Sequence, residues 1–150
     1  MSHILAAVDF SDLADPVIQQ AEHLARALDC PVTLIHVAPA NPEFIGYEAG
    51  PQTVRDARAK ELRAEHADLN QRAAQLKERG VDANSLFIEG ASVETILQKS
   101  QQLEADFIVI GSHGHGPIYE VLVGSVCEGV VRKSTCPVLV VPPGRVEASP

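Results

Sequence analysis

The sequence predicts an α/β fold, an open five-stranded parallel sheet with helices on both faces. Short apolar runs alternate along the chain with longer segments of helical apolar spacing, the pattern of repeated strand-helix-strand units. The runs themselves, such as Ile4 to Val8 and Val138 to Val141, are continuous rather than alternating, as in strands covered on both faces. No Pro/Gly/Ser-rich linker, low-complexity tract or internal repeat divides the 150 residues, so a single domain over residues 1–150 is expected.

The elements follow in order. His3 to Val8 is the first strand, and it ends in Asp9-Phe10-Ser11-Asp12, where Ser11 or Asp12 is expected to cap the next helix. That helix carries Val17, Ile18, Ala21, Leu24, Ala25 and Leu28 at helical spacing, and Pro16 is tolerated in its first turns. Pro31 to Val37 is the second strand, rich in β-branched residues. Ala38 to Pro51, with Pro39, Pro42, Gly46, Gly50 and Pro51, is long for a connection inside a compact domain and is expected to fold over or near a ligand. Gln52 to Arg79 is a long charged helix whose Leu62, Leu69 and Leu76 predict a stripe facing the sheet rather than a coiled coil, and Gly80 ends it. Ser85 to Glu89 is a short third strand. Ser92 to Leu103 is a helix with Val93, Ile96, Leu97 and Leu103 on its buried face. Asp106 to Ile110, Val126 to Lys133 and Pro137 to Val141 complete the pattern as strand, helix and strand.

Composition narrows the function classes. Hydrophobic residues make up 45% of the chain, yet no apolar run approaches the ~20 residues that span a bilayer. The start, Met1-Ser2-His3, has no secretory-signal pattern, so a soluble cytoplasmic protein is expected. Cys30, Cys127 and Cys136 share no Cys-x-x-Cys spacing and read as reduced thiols. A formal net charge of −8 argues against nucleic acid or an anionic membrane as partner, so any phosphate must be held locally.

The place for it is Gly111 to Ser125. The fourth strand empties into a glycine-rich turn, Gly111-Ser112-His113-Gly114-His115-Gly116, and a helix follows. Glycines free the backbone for positive φ and for close approach to a ligand. Exposed N–H groups and a helix N-terminus favour phosphate there. Ser125 adds a hydroxyl that either caps the helix or donates to a phosphate oxygen. The P-loop pattern is absent because no lysine follows, and no G-x-G-x-x-G opens a helix after the first strand.

Gly111, Gly114, Gly124 and Ser125 match G-x2-G-x9-G-[ST], and on this motif the chain resembles the ATP-binding members of the universal stress protein family. Ile4 to Asp9 looks like that family's first strand, Leu34-Ile35-His36-Val37 like its second, and Pro137 to Val141 like its last. The resemblance implies a Rossmann-like, adenine nucleotide alpha hydrolase-like sheet of order 3-2-1-4-5. In that order the first and fourth strands meet at the switch point where such sheets bind ligands. It also implies site residues. Ala7, Val8 and Asp9 match the adenine and ribose end, with Asp9 accepting from ribose hydroxyls or else serving only the following helix start. Val37 matches the apolar adenine contact, although a valine there also suits a plain core. Gly111, Ser112, His113, Gly114, His115 and Gly116 would wrap the phosphates, and Gly124, Ser125 and Val126 would contact the distal end.

His113 and His115 form His-x-His, but no further ligand is identifiable, and a magnesium ion held through the nucleotide's own phosphates is expected instead. Pro117 removes one backbone donor from the loop. Arg132 and Lys133 suit the end of the last helix rather than a phosphate. The apolar edge Val138, Leu139, Val140 and Val141 invites pairing with a second copy, and the resemblance implies a homodimer built that way, with further assembly open; the alternative is a monomer whose tail, Pro142 to Pro150, covers the edge. There is no nucleophile elbow and no assignable acid/base pair. The expected function is therefore a nucleotide-dependent regulatory module, in which ATP tunes oligomeric state and contact with a partner such as a transporter, kinase or other stress-response protein. A slow ATPase or nucleotide-transfer enzyme, and a nucleotide-free dimerising protein, are the alternatives.

Overall fold

A computed structural model describes residues 2–39, 52–112 and 124–143. In chain order the elements are β1 (Ile4–Ala7), α1 (Ala14–Leu28), β2 (Val32–Ala38), α2 (Gln52–Glu78), β3 (Ala83–Glu89), α3 (Ser92–Gln102), β4 (Phe107–Gly111), α4 (Ser125–Lys133) and β5 (Val138–Val141). The strands form one parallel sheet in the order β3-β2-β1-β4-β5, as expected. β1 lies at its centre, with Ile4 opposite Val32 on one side and opposite Phe107 on the other.

The strand alternation divides the core in two. Ile4, Ala6 and Val8 point to the face covered by α1 and α2, where they join Val17, Ala21, Leu34, Leu69, Leu76 and Val109. Leu5 points to the opposite face and joins Ile35, Val37, Ile96, Ile108, Ile110, Cys127 and Val130, under α3 and α4. The stripe read along α2 faces the sheet, with Leu69 and Leu76 fully buried and Leu62 half-buried. Gly80 ends that helix with φ +89°, donating its N–H to the Lys77 carbonyl at 2.9 Å, a conformation in which glycine avoids the Cβ penalty.

Most boundaries shift by one residue from the sequence reading, and two differences have a visible cause. β3 begins at Ala83 rather than Ser85, because Asn84, a poor strand former by type, is held opposite Thr33 and accepts a 2.7 Å hydrogen bond from the Thr33 hydroxyl. α1 begins at Ala14 with buried Leu13 at the N-cap and no side-chain cap, so neither Ser11 nor Asp12 caps it directly. Ser11 acts just before the helix: its hydroxyl accepts from the Leu13 N–H at 3.2 Å, and its carbonyl accepts from the Ala14 N–H at 3.0 Å.

Candidate functional site

The open carboxyl ends of β1 and β4 lie side by side, since Ala6 is in register with Val109. β2 flanks β1 there, with Ala7 opposite Ile35 and the Val8 N–H donating to the Ile35 carbonyl at 2.8 Å. On the other side Ser112 donates its N–H to the Val141 carbonyl of β5 at 2.8 Å, and its own carbonyl accepts from the Gly124 N–H at 2.6 Å. The start of α4 is thereby fixed at the end of β4. Residues named from distant parts of the sequence do meet: Ala7, Val8 and Asp9, Val37, Gly111 and Ser112, and Gly124, Ser125 and Val126 occupy one end of the sheet. His113, Gly114, His115, Gly116 and Pro117 lie outside the described residues, as do residues 40–51 of the long connection.

The side chains divide by face. Ala7 and Val37 both pack in the α3/α4 core with Cys127 of the first turn of α4, so an apolar surface runs from β1 and β2 toward that helix start. Val37 is only 9% exposed, so its core role is real, and any ligand meets a small part of it. Val8 is buried on the other face, and its backbone N–H and carbonyl are engaged by the Ile35 carbonyl and His36 Nδ1.

Gly124 is the N-cap of α4, with φ −75° and ψ 164°, and no side chain caps the helix. Ser125 and Val126 are its first two residues and both are exposed. The first N–H groups of a helix have no partner within it, so this end carries donors and partial positive charge. The capping role open to Ser125 is not the one it takes, because it stands inside the helix. Nor do the described motif glycines use positive φ. Gly111 is the last residue of a regular strand, and the described glycines at positive φ are Gly80 and Gly90. At Gly111 and Gly124 the backbone conformation does not itself require glycine. Beneath the helix start, burial pushes the Cys127 thiol up from its ordinary value, so it is a neutral core group.

Asp9 is half-buried, and its Oδ1 accepts from the Ser11 N–H at 3.0 Å and from the Ser11 hydroxyl at 2.6 Å. The carboxylate therefore organises the turn into α1, and its direction is set by that turn. Between them stands Phe10 at φ +59°, a left-handed conformation uncommon for a bulky residue. Its ring packs on His36, with centroids 4.6 Å apart, and His36 packs in turn on Phe87 at 5.3 Å. His36 Nδ1 donates to the Val8 carbonyl at 2.6 Å. Sequence reasoning missed this pair; the available signal was a titratable side chain inside the otherwise apolar run Leu34-Ile35-His36-Val37. Among the described residues no grouping of three or more His, Cys, Asp or Glu could hold a metal ion.

The sequence model of the universal stress protein family matches residues 1–142. The chain belongs to the universal stress protein family. Universal stress protein YxiE of Bacillus subtilis is 29% identical over 143 residues, covering 92% of this chain and 97% of its own. Among solved structures, protein MJ0577, a universal stress protein of Methanocaldococcus jannaschii, superposes with a TM-score of 0.77 at 27% identity, over 94% of this chain and 95% of its own. A universal stress protein from Archaeoglobus fulgidus in complex with dAMP shares the fold, with a TM-score of 0.64 at 22% identity over 94% of this chain and 97% of its own. These universal stress proteins span nearly the whole chain, including both strands that meet at the switch point. No helix among the described residues is long and apolar enough to cross a membrane.

Proposed function

We propose that this chain binds an adenine nucleotide, ATP, between the ends of β1, β2 and β4 and the start of α4, and acts as a nucleotide-dependent regulatory module of one domain in the cytoplasm. The observation that carries this reading is the 2.6 Å bond from Gly124 to Ser112, which holds an uncapped helix start at the open end of the central strands. Support comes also from the Archaeoglobus fulgidus complex with dAMP and from a universal stress protein structure in complex with cAMP, both 22% identical to this chain. In this reading the adenine lies on the apolar surface of Ala7 and Val37, and Asp9 accepts from ribose hydroxyls. The phosphates are wrapped by Gly111, Ser112, His113, Gly114, His115 and Gly116 and reach the backbone of Gly124, Ser125 and Val126. A magnesium ion comes with the triphosphate, held through its oxygens.

ATP regulates only if it binds two states of the protein with different affinity. The proposed states differ in assembly. β5 is the outermost strand among the described residues, with Leu139 exposed, and in this reading its outer edge pairs with a second copy. A regulated partner then reads the assembled form.

The deciding experiment denatures freshly purified protein and identifies the released nucleotide, followed by titration of ATP into nucleotide-free protein. Near-stoichiometric ATP supports a binder that barely hydrolyses; released ADP or AMP favours an enzyme. No binding in either format overturns the reading. Gly114→Val is expected to abolish ATP binding in a folded protein, and sedimentation with saturating ATP against ADP tests the assembly switch, identical distributions removing it.

A further inference from the structure

His36 has no route to a ligand on the Ala7 and Val37 surface. It sits on β2 between Ile35 and Val37, so its side chain points to the opposite face of the sheet, the face that also carries Val8. It is nonetheless placed with unusual constraint for a polar group. It is buried, its Nδ1 donates 2.6 Å to the Val8 carbonyl, and its ring lies between Phe10 and Phe87. His66, from α2, stacks on the far side of the chain of rings, 5.1 Å from Phe87. Val8 and Phe10 are the two neighbours of Asp9 in sequence. One imidazole thus holds the residue before Asp9 by a hydrogen bond and the residue after it by ring packing.

Phe10 makes this arrangement consequential. A left-handed backbone at a bulky side chain is strained and persists only where surrounding structure compensates. The ring contact with His36 is that compensation on one side, and the Ser11 bonds to Asp9 Oδ1 are the compensation on the other. Release the ring, and Phe10 relaxes toward ordinary φ, turning the Asp9 carboxylate away from its present direction.

We infer that His36 is a positioning residue for the nucleoside end of the site, acting through Val8 and Phe10 to aim the Asp9 carboxylate at ribose hydroxyls. The inference rests on the nucleotide reading above and adds to it the residue that sets ribose discrimination. His36→Leu keeps bulk but removes both the donor and the ring. His36→Asn keeps a side-chain amide donor at about the bond distance of Nδ1 from the backbone.

The test compares binding of ATP and 2′,3′-dideoxy-ATP by calorimetry in the unaltered protein and both variants, with circular dichroism and melting to verify folding. The unaltered protein is expected to prefer ATP by about tenfold or more, the scale of a hydrogen bond to a charged group. His36→Leu is expected to lose that preference while still binding dideoxy-ATP within about threefold of the unaltered protein, and His36→Asn, which keeps a donor but not the ring packed on Phe10, to lose most of it as well. A general loss of packing would weaken both nucleotides alike. Undiminished preference in folded His36→Leu overturns the positioning role and leaves nucleotide binding intact. If His36→Leu does not fold, Phe10→Leu, which removes the ring but keeps the cost of left-handed φ, takes its place with the same expectation. Binding of ATP and dideoxy-ATP with equal affinity by the unaltered protein overturns Asp9 as the ribose acceptor and this inference with it. No binding of either overturns the nucleotide reading itself.

Discussion

The amide of Gly124 donates to the carbonyl of Ser112 across 2.6 Å, tying the first residue before α4 to the residue after β4. The glycine–carbonyl bond uses only backbone, and at φ −75° and ψ 164° any L-residue fits the conformation. Gly124→Ala is therefore expected to leave stability within about 0.5 kcal/mol, as for substitutions that touch no packing, while lowering ATP affinity severalfold through lost approach to the backbone. Melting and calorimetry on the same sample check both halves.

Gly129 on α4 faces Val93 on α3 so closely that a Cβ built on it would lie 2.8 Å from Val93 Cγ2. Val93 is β-branched and has one strongly preferred rotamer in a helix, so it yields poorly. Gly129→Ala gains helix propensity but is expected to lose about 1–3 kcal/mol to overpacking, a net destabilisation. Adding Val93→Ala should recover most of the loss, and urea unfolding of the single and double variants measures it.

Acid should weaken the contact of α1 with α2. Glu22 accepts from Arg79 and Arg26, and the Arg79 hydrogen bond is the main cause holding its carboxyl below the ordinary range. A depressed carboxylate stabilises the fold fully above its unfolded value, and the contribution is lost as pH falls through the folded one. The melting difference between the unaltered protein and Glu22→Gln should thus be largest near neutral pH and vanish in strong acid. Burial likewise holds His3 below its ordinary value, against opposing pulls from Asp106 and Asp82. The pH dependence has the same sign but begins earlier: as pH falls below the ordinary imidazole range, charging the partly buried ring costs stability.

Thiol reagents should distinguish the cysteines. Burial pushes Cys30 and Cys127 up from the ordinary thiol range, which starves them of reactive thiolate. Cys136 is half-buried, within 3.5 Å of the Ser134 hydroxyl. In native protein Cys136 is expected to label first, with Cys30 and Cys127 reacting at the rate of unfolding; peptide mapping after timed alkylation checks the order.

Much of the architecture was written in periodicity. Leu69 and Leu76 occupy the stripe their spacing marked, and the continuous apolar runs became strands covered on both faces. The strand order was not written there, since Ile4 opposite Phe107 is a pairing no local pattern specifies; it came from resemblance. Local chemistry misled where a tertiary partner decided the outcome, as at Asn84 with Thr33. The site was legible as a set of glycines, but the reason attached to two of them was not, because Gly111 and Gly124 keep ordinary backbone angles. His36 was marked only as a titratable side chain inside an apolar run; its partners were not legible, because a hydrogen bond to the carbonyl just past β1 and a ring packed on a ring leave no spacing in the chain.

The central place of β1 imposes an order of events on a ribosome. β1 is made first, yet one of its two partners, β4, arrives with a sequence separation of 103 residues, as the His3 to Asp106 bond shows. At synthesis rates of about 5–20 residues per second, that edge of β1 stays open for roughly 5–20 s in each newly made chain. A nascent chain can dock β2 and β3 long before it can close the switch point. The junction of β1 with β4 is among the last features to form, and a chain cut short before Asp106 would carry an open apolar strand edge where the finished protein pairs Ile4 with Phe107.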